Sequence, residues 1–250
     1  MNVLFPTFLC GIFFIIFPGK VKATAFLPDV RDSTHDSLKL SGSAELDKIG
    51  LAPMPVLPFY KPVATASLSL TKKGWSYGAD FSIGLNGRPW MSNNWFHYRL
   101  FDRKKLQVSA GINPFLYFAT STVGSKKEMI NVTRNISFEA SGNYKFSDKW
   151  ALNFTYRYDH GFNNVILPGN FFCTSIFSKS NISKSIFINV NAHLIYFDYV
   201  NNIVGLFGAG EIIVAHKKFP LSAYIQGNQP FWAKFSGAAF IWNTGMVYSF

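Results

Sequence analysis

The residues best equipped for chemistry in this chain of 250 residues lie in Tyr156-Arg-Tyr-Asp-His-Gly-Phe-Asn-Asn164. A histidine beside a carboxylate can be oriented by it and can accept a proton, which is half of a general-base arrangement. Acyl transfer by such a pair also needs an activated hydroxyl or thiol. Gly161, Phe162, Asn163 and Asn164 supply neither. Cys173 is the only cysteine besides Cys10, so a Cys-based metal site is excluded, and no two histidines stand at ligand spacing. No glycine-rich phosphate loop follows a strand pattern. The expectation is therefore no catalytic residue, no cofactor and no metal. What remains is scattered charge: Asp80, His97, Arg99, Glu139, Arg157, Asp159, His193 and Glu211.

Those charges share one property, which is their place in an alternating pattern. In Trp150–Tyr158 the even positions are Trp150, Leu152, Phe154, Tyr156 and Tyr158, and the odd ones include Asn153, Thr155 and Arg157. From Ile130 to Phe146 the even face carries Ile130, Val132, Ile136, Phe138 and Tyr144, against an odd face of Asn131, Thr133, Asn135, Ser137 and Glu139. Leu106–Asn113 and Trp75–Asn86 repeat the period of two, the mark of a strand with one apolar and one polar face. Each charge named above falls on the polar face.

Composition says which faces meet what. Hydrophobic residues make up 48% and aromatic residues 18%, with 27 Phe, while charged residues are only 15%; a soluble domain carries about 25%. No stretch after the N-terminus is apolar enough for a spanning helix. In lipid every backbone N–H and C=O must be paired internally, so helices and closed barrels are the spanning solutions. Run length removes the helix and leaves an all-β, antiparallel up-and-down transmembrane barrel. Aromatic residues at predicted strand ends (Trp75, Trp95, Tyr117, Trp150, Tyr156, Tyr158, Tyr196, Trp242 and Tyr248) fit interfacial girdles.

The two ends of the chain agree with that reading. The apolar run from Val3 to Phe17, about 15 residues against the roughly 20 of a spanning helix, leads into Pro18, Gly19 and a small-residue exit near Ala23. Residues 1–23 read as a secretory signal, 24–36 as a periplasmic segment and 37–250 as the barrel. At the other end Trp242, Met246, Tyr248 and Phe250 fall on one parity of a strand that runs to the last residue.

Connections alternate between tight basic turns (72–74, 102–105, 147–149, 181–184, 216–220) and longer segments (roughly 47–61, 86–94, 119–129, 160–170, 198–202, 228–236). Barrels of this kind have short periplasmic turns and longer external loops, which puts the C-terminus in the periplasm. Counting back from Phe250 gives strands near 237–250, 219–227, 203–215, 185–197, 171–180, 149–159, 130–146, 105–118, 95–102, 75–86 and 62–71. Parity then draws 37–46 in as the first strand. The expectation is about twelve strands, with ten as the alternative. The Pro-rich stretch 53–62 becomes the first external loop, because proline cannot serve inside a ladder.

The formal net charge is +11, and much of it sits in the tight turns, at Lys72, Lys73, Arg103, Lys104, Lys105, Lys217 and Lys218. Attraction to anionic headgroups explains it with the simplest physics, and an exported barrel has no use for nucleic acid. Expected partners are outer-membrane lipids and lipopolysaccharide, for a chain acting as a monomer.

Three resemblances bear on this. The closing segment Trp242–Phe250 resembles the last strand of outer-membrane barrels, which implies recognition by the barrel-assembly machinery. Gly84-Leu-Asn-Gly-Arg-Pro-Trp90, Trp95-Phe-His-Tyr-Arg99 and Gly111-Ile-Asn-Pro-Phe115 resemble a group of uncharacterised outer-membrane barrels of Gram-negative bacteria, which implies fold and location without an activity. His160 and Asn163 match the His-x-Ser-Asn segment of outer-membrane lipid A deacylases, but Phe162 stands at the nucleophile, so that activity is not implied. The first functional reading is a small pore or passive channel in the outer membrane. Barrels of eight strands are filled by side chains and those of sixteen leave a channel, so a structural or surface-interaction barrel with a plugged lumen stays open, and a lipid-modifying hydrolase stands as a distant alternative.

Overall fold

The computed structural model describes residues 37–51, 59–123, 127–162, 168–235 and 238–250. The expected signal and the segment 24–36 lie outside the described residues. Alternating segments become strands β1 (Lys39–Asp47), β2 (Val63–Lys72), β3 (Trp75–Gly84), β4 (Pro89–Asp102), β5 (Leu106–Val123) and β6 (Lys127–Lys145). They continue as β7 (Trp150–Gly161), β8 (Gly169–Asn181), β9 (Ile186–Tyr199), β10 (Ile203–His216), β11 (Leu221–Ala233) and β12 (Ile241–Ser249). Every strand pairs with its sequence neighbours, and β1 meets β12 antiparallel from Ser43↔Ser249 to Asp47↔Gly245, closing a barrel of twelve strands. Closure removes the unpaired edge that an open sheet would present.

One end of the barrel holds the start of β1, the finish of β12 and the tight turns; it is called here the terminal end, and the other the loop end. The basic residues Lys73, Arg103, Lys104, Lys105, Lys149, Lys184, Lys217 and Lys218 all lie in connections at the terminal end. At the loop end, Asn201 and Asn202 adopt φ of 66° and 60° between β9 and β10, a left-handed conformation asparagine tolerates. Gly87, with φ of 82°, turns the chain between β3 and β4, where its N–H donates to the Gly84 carbonyl at 2.8 Å.

The expected long loops are shorter than their sequence suggests. β4 begins at Pro89 rather than 95, the β5–β6 ladder runs out to Val123↔Lys127, and β11 continues to Ala233. Apart from Met91, the residues of Met91-Ser-Asn-Asn94 and Ala119-Thr-Ser-Thr122 are small or polar on both faces. Period-two hydropathy fades there, yet a ladder is made of backbone groups and continues without it. The β5–β6 hairpin consequently projects past its neighbours: β7 pairs no further than Asn135↔Gly161 and β4 no further than Met91↔Tyr117.

The outer face is apolar and exposed, with Leu68, Phe96, Ile112, Phe138, Phe154, Ile176, Leu194, Ile212 and Ile225 each at least 40% accessible. A continuous apolar belt around a barrel with a polar interior suits a bilayer. Near the terminal end, outward aromatics pair as Trp75 with Tyr98 (centroids 4.6 Å apart) and Tyr144 with Phe146 (5.0 Å). Two expected girdle residues are on the other face. Trp95 stacks on His97 at 5.6 Å inside the barrel, and Tyr117 packs beside Val63 and Trp90. The lumen face therefore carries aromatic rings as well as polar groups, which alternation between apolar and polar does not anticipate.

Candidate functional site

Inward residues of each strand follow from cross-strand register, because directly paired residues share a face. Ser43, Glu45 and Asp47 pair with Ser249, Val247 and Gly245 on one side and with Ser67, Thr65 and Val63 on the other. Asp80 lies opposite Ser67 and Glu211 opposite Gln226 and Asn191. The same logic brings His97, Glu139, Arg157, Asp159 and His193 to the lumen.

Three ion pairs tie the wall formed by β4 to β7. His97 Nε2 lies 3.1 Å from Glu139 Oε1. Arg99 Nη1 donates to Asp102 Oδ2 at 2.7 Å, close to the terminal rim. Arg157 Nε lies 2.8 Å from Asp159 Oδ1, and these side chains are 8% and 0% exposed. A buried charge needs such compensation, and this pair has more of it: the Tyr199 hydroxyl donates to Asp159 Oδ2. The guanidinium sits 4.5 Å from the Phe171 ring centroid and 5.9 Å from that of Trp95, within cation–π range. His193 Nδ1 is 2.7 Å from Ser175 Oγ.

The opposite wall, from β10 through β12 to β3, is different. Glu45, Asp47, Asp80 and Glu211 collect there, and Asp47, Glu211 and Asp80 all lie within electrostatic reach of Glu45. Their partners are neutral. The Tyr224 hydroxyl lies against Glu45 Oε1 (2.6 Å) and Asp47 Oδ1. Asn243 Nδ2 donates to Asp47 Oδ1 at 3.0 Å, and Asn191 Nδ2 donates to Glu211 Oε2 at 2.7 Å. Among the described residues none of these four acids is in an ion pair. The lumen is thus electrostatically lopsided: a wall of compensated charge faces a wall of uncompensated carboxylates.

Sequence reading found Asp80 and Glu211 but missed Glu45, Asp47 and their holders Tyr224 and Asn243. The signal was present, since Leu40, Gly42, Ala44 and Leu46 set the outward parity of β1 and leave Glu45 and Asp47 inward. Arg99 is the converse case, placed inward as expected but tied to Asp102 at the rim. In the tail, Trp242, Met246, Tyr248 and Phe250 all lie on the outer face, each 46–50% exposed.

Asp159 and His160 do not come together. Successive strand residues point to opposite faces, so Asp159 is fully buried in the lumen while His160 is exposed on the outer face, edge-on to Phe162 with centroids 5.5 Å apart. A proton relay between them is geometrically closed. Among the described residues no three His, Cys, Asp or Glu side chains form a group able to hold a metal ion, and Cys173 is a half-buried free thiol 3.3 Å from Ser175 Oγ.

No protein-family model matches this chain, and no curated protein matches it in sequence. Its fold does match solved structures. The KdgM porin in complex with disordered oligogalacturonate superposes with a TM-score of 0.54 at 10% identity, over 84% of this chain and 98% of that one. A second structure of the KdgM porin gives the same TM-score over 84% of this chain and 99% of that one. The NanC porin gives 0.50 at 10% identity, over 84% and 98%. At such identity the likeness is one of fold: a closed antiparallel barrel shared along nearly the whole length of each porin.

Proposed function

We propose that this chain is a passive channel in the outer membrane of a Gram-negative bacterium, acting as a monomer and passing small solutes with a preference for cations. The observation that carries the reading is the uncompensated acidic wall of Glu45, Asp47, Asp80 and Glu211 inside a closed barrel. Carboxylates lining a narrow aqueous path raise the local concentration of cations and repel anions. The porin likeness supports a channel, but a polyanionic sugar such as the oligogalacturonate of the KdgM complex is poorly suited to this lumen. In the proposed orientation the terminal end faces the periplasm, where its Lys and Arg residues meet anionic headgroups, and the loop end faces outward toward lipopolysaccharide. The outward aromatics of β12 form the segment that the barrel-assembly machinery reads.

A second reading rests on the full burial of Ser137, Asp159, Asn243 and Phe197 on the lumen face, which narrows the path and favours a plugged, structural barrel. Conductance of the purified, folded protein in a planar bilayer decides between the two. The channel reading expects discrete current steps and, across a KCl gradient, a reversal potential of cation sign. Combining Glu45→Gln, Asp47→Asn, Asp80→Asn and Glu211→Gln is expected to move that potential to zero or beyond. Folded protein that passes no current excludes the channel and leaves the plugged barrel.

A further inference from the structure

We infer that the barrel wall carries a lipid site at the foot of the β5–β6 hairpin, where Arg134 takes a phosphate of lipid A and an acyl chain lies against Pro114, Leu116 and Phe162. The inference rests on the orientation proposed above, which puts the loop end in the lipopolysaccharide leaflet.

The site begins with a break in the wall. β4 and β5 pair at Asn93↔Phe115 and again at Phe96↔Ile112, but not between. Pro114 stands in that interval and has no N–H to give to the ladder. A side chain bridges β4 and β5 there, and another ties β4 to β3. Asn113 Nδ2 donates to the Asn94 carbonyl at 3.1 Å, and the Tyr77 hydroxyl donates to Asn94 Oδ1 at 2.8 Å. A cavity of about 660 Å³ opens at this break, lined by Asn94, Pro114, Leu116, Arg134, Asn135 and Phe162 among others.

Its lining is that of an amphiphile site at a defined depth. Arg134 occupies the lipid-facing parity of β6, between Val132 and Ile136, and is exposed. It makes no ion pair with any described residue. In the hydrocarbon centre such a charge would be strongly destabilising, whereas at the interface it is tolerated. Register places it at the interface, because β7 stops at Asn135↔Gly161, one residue from Arg134. A planar guanidinium is well matched to phosphate oxygens.

Asn135, the next residue, turns its side chain to the lumen face with Ser137 and Glu139, so the outer groove takes its polar character from Arg134 and Asn94. Phe162, 63% exposed, is fixed beside Arg134 by its N–H, which donates to the Arg134 carbonyl at 2.9 Å.

Native mass spectrometry of the detergent-solubilised barrel tests this, with lipid A, lipid A stripped of both phosphates, and phosphatidylglycerol as separate probes. Lipid A is expected to be retained at least tenfold better than the other two. Arg134→Ala should abolish that preference, and Arg134→Lys should restore part of it. Equal retention by Arg134→Ala and the parent, or equal retention of the phosphate-free lipid, overturns the site. Preference for phosphatidylglycerol overturns lipid A as its occupant. Heat-dependent gel mobility verifies that each variant is folded, and bilayer conductance, which Arg134→Ala is expected to leave unchanged, keeps the fate of the channel reading separate.

Discussion

Phe250 packs its ring onto Gly42 across the β1–β12 seam, so closely that a methyl group at position 42 would sit 2.6 Å from Cζ. The two backbones exchange hydrogen bonds of 3.0 and 2.9 Å at the same point. Gly42 is small because the ring occupies its side-chain space. Gly42→Val is expected to destabilise the folded barrel by about 1–3 kcal/mol through overpacking, lowering the temperature at which the compact gel band is lost. Adding Phe250→Ala should restore much of the loss. A double variant no better than the single one would show that the ring is not the cause.

Arg157 and Asp159 are expected to behave as a unit. Arg157→Leu leaves a buried carboxylate with only Tyr199 beside it, at a cost of about 3–5 kcal/mol. Replacing both by leucine should cost distinctly less, since no charge is then stranded. Urea unfolding in lipid vesicles measures both, and equal losses would falsify the pairing argument.

Leu194 and His193 are adjacent and point to opposite sides of the wall. Leu194→Arg puts a charge on the lipid face and is expected to cost about 2–4 kcal/mol near mid-bilayer. His193→Arg, in the polar lumen, should leave stability nearly unchanged while shifting ion selectivity toward anions. The same unfolding assay, with bilayer reversal potentials, checks the pair. Similar stability losses at both positions would contradict the assignment of faces.

Orientation is open to chemical labelling in a Cys173→Ser background. A cysteine at Asn86, in the β3–β4 turn, should react with a membrane-impermeant maleimide in intact cells. One at Lys218, in the β10–β11 turn, should react only after the outer membrane is permeabilised. The reverse pattern inverts the topology and with it the leaflet that Arg134 meets.

The architecture was legible because each lipid-facing strand must be apolar on alternate residues, and β5 to β9 write that rule plainly. Even the first strand, marked only by Leu38, Leu40 and Leu46, was recovered by parity. The ends of strands were less legible. Met91–Asn94 and Ala119–Thr122 lie in ladder whose side chains carry no strong apolar signal, so they read as loop. The lumen was half legible. Parity puts Asp80, Glu139, Arg157 and Glu211 on the inner face, but it says nothing of partners across the barrel. Glu139 meets His97 over Gly111 and Asp159 meets Tyr199 over Gly169, each reaching past the glycine of the strand between, over sequence separations of 42 and 40. Asp159 and His160 teach the complement: neighbours in sequence suggest a chemical couple, and the strand's alternation separates them.

Every strand of this barrel lies beside the one that precedes it, and the β1–β12 seam is the sole exception to that order. A wall built that way is modular by hairpins. Deleting or duplicating one up-and-down pair leaves the remaining strands in their original order and the seam able to form. Only the circumference changes. The gauge of the lumen can therefore drift over evolutionary time in steps of two strands, while β1 and β12 keep the matched surfaces that must find each other whatever the number between them.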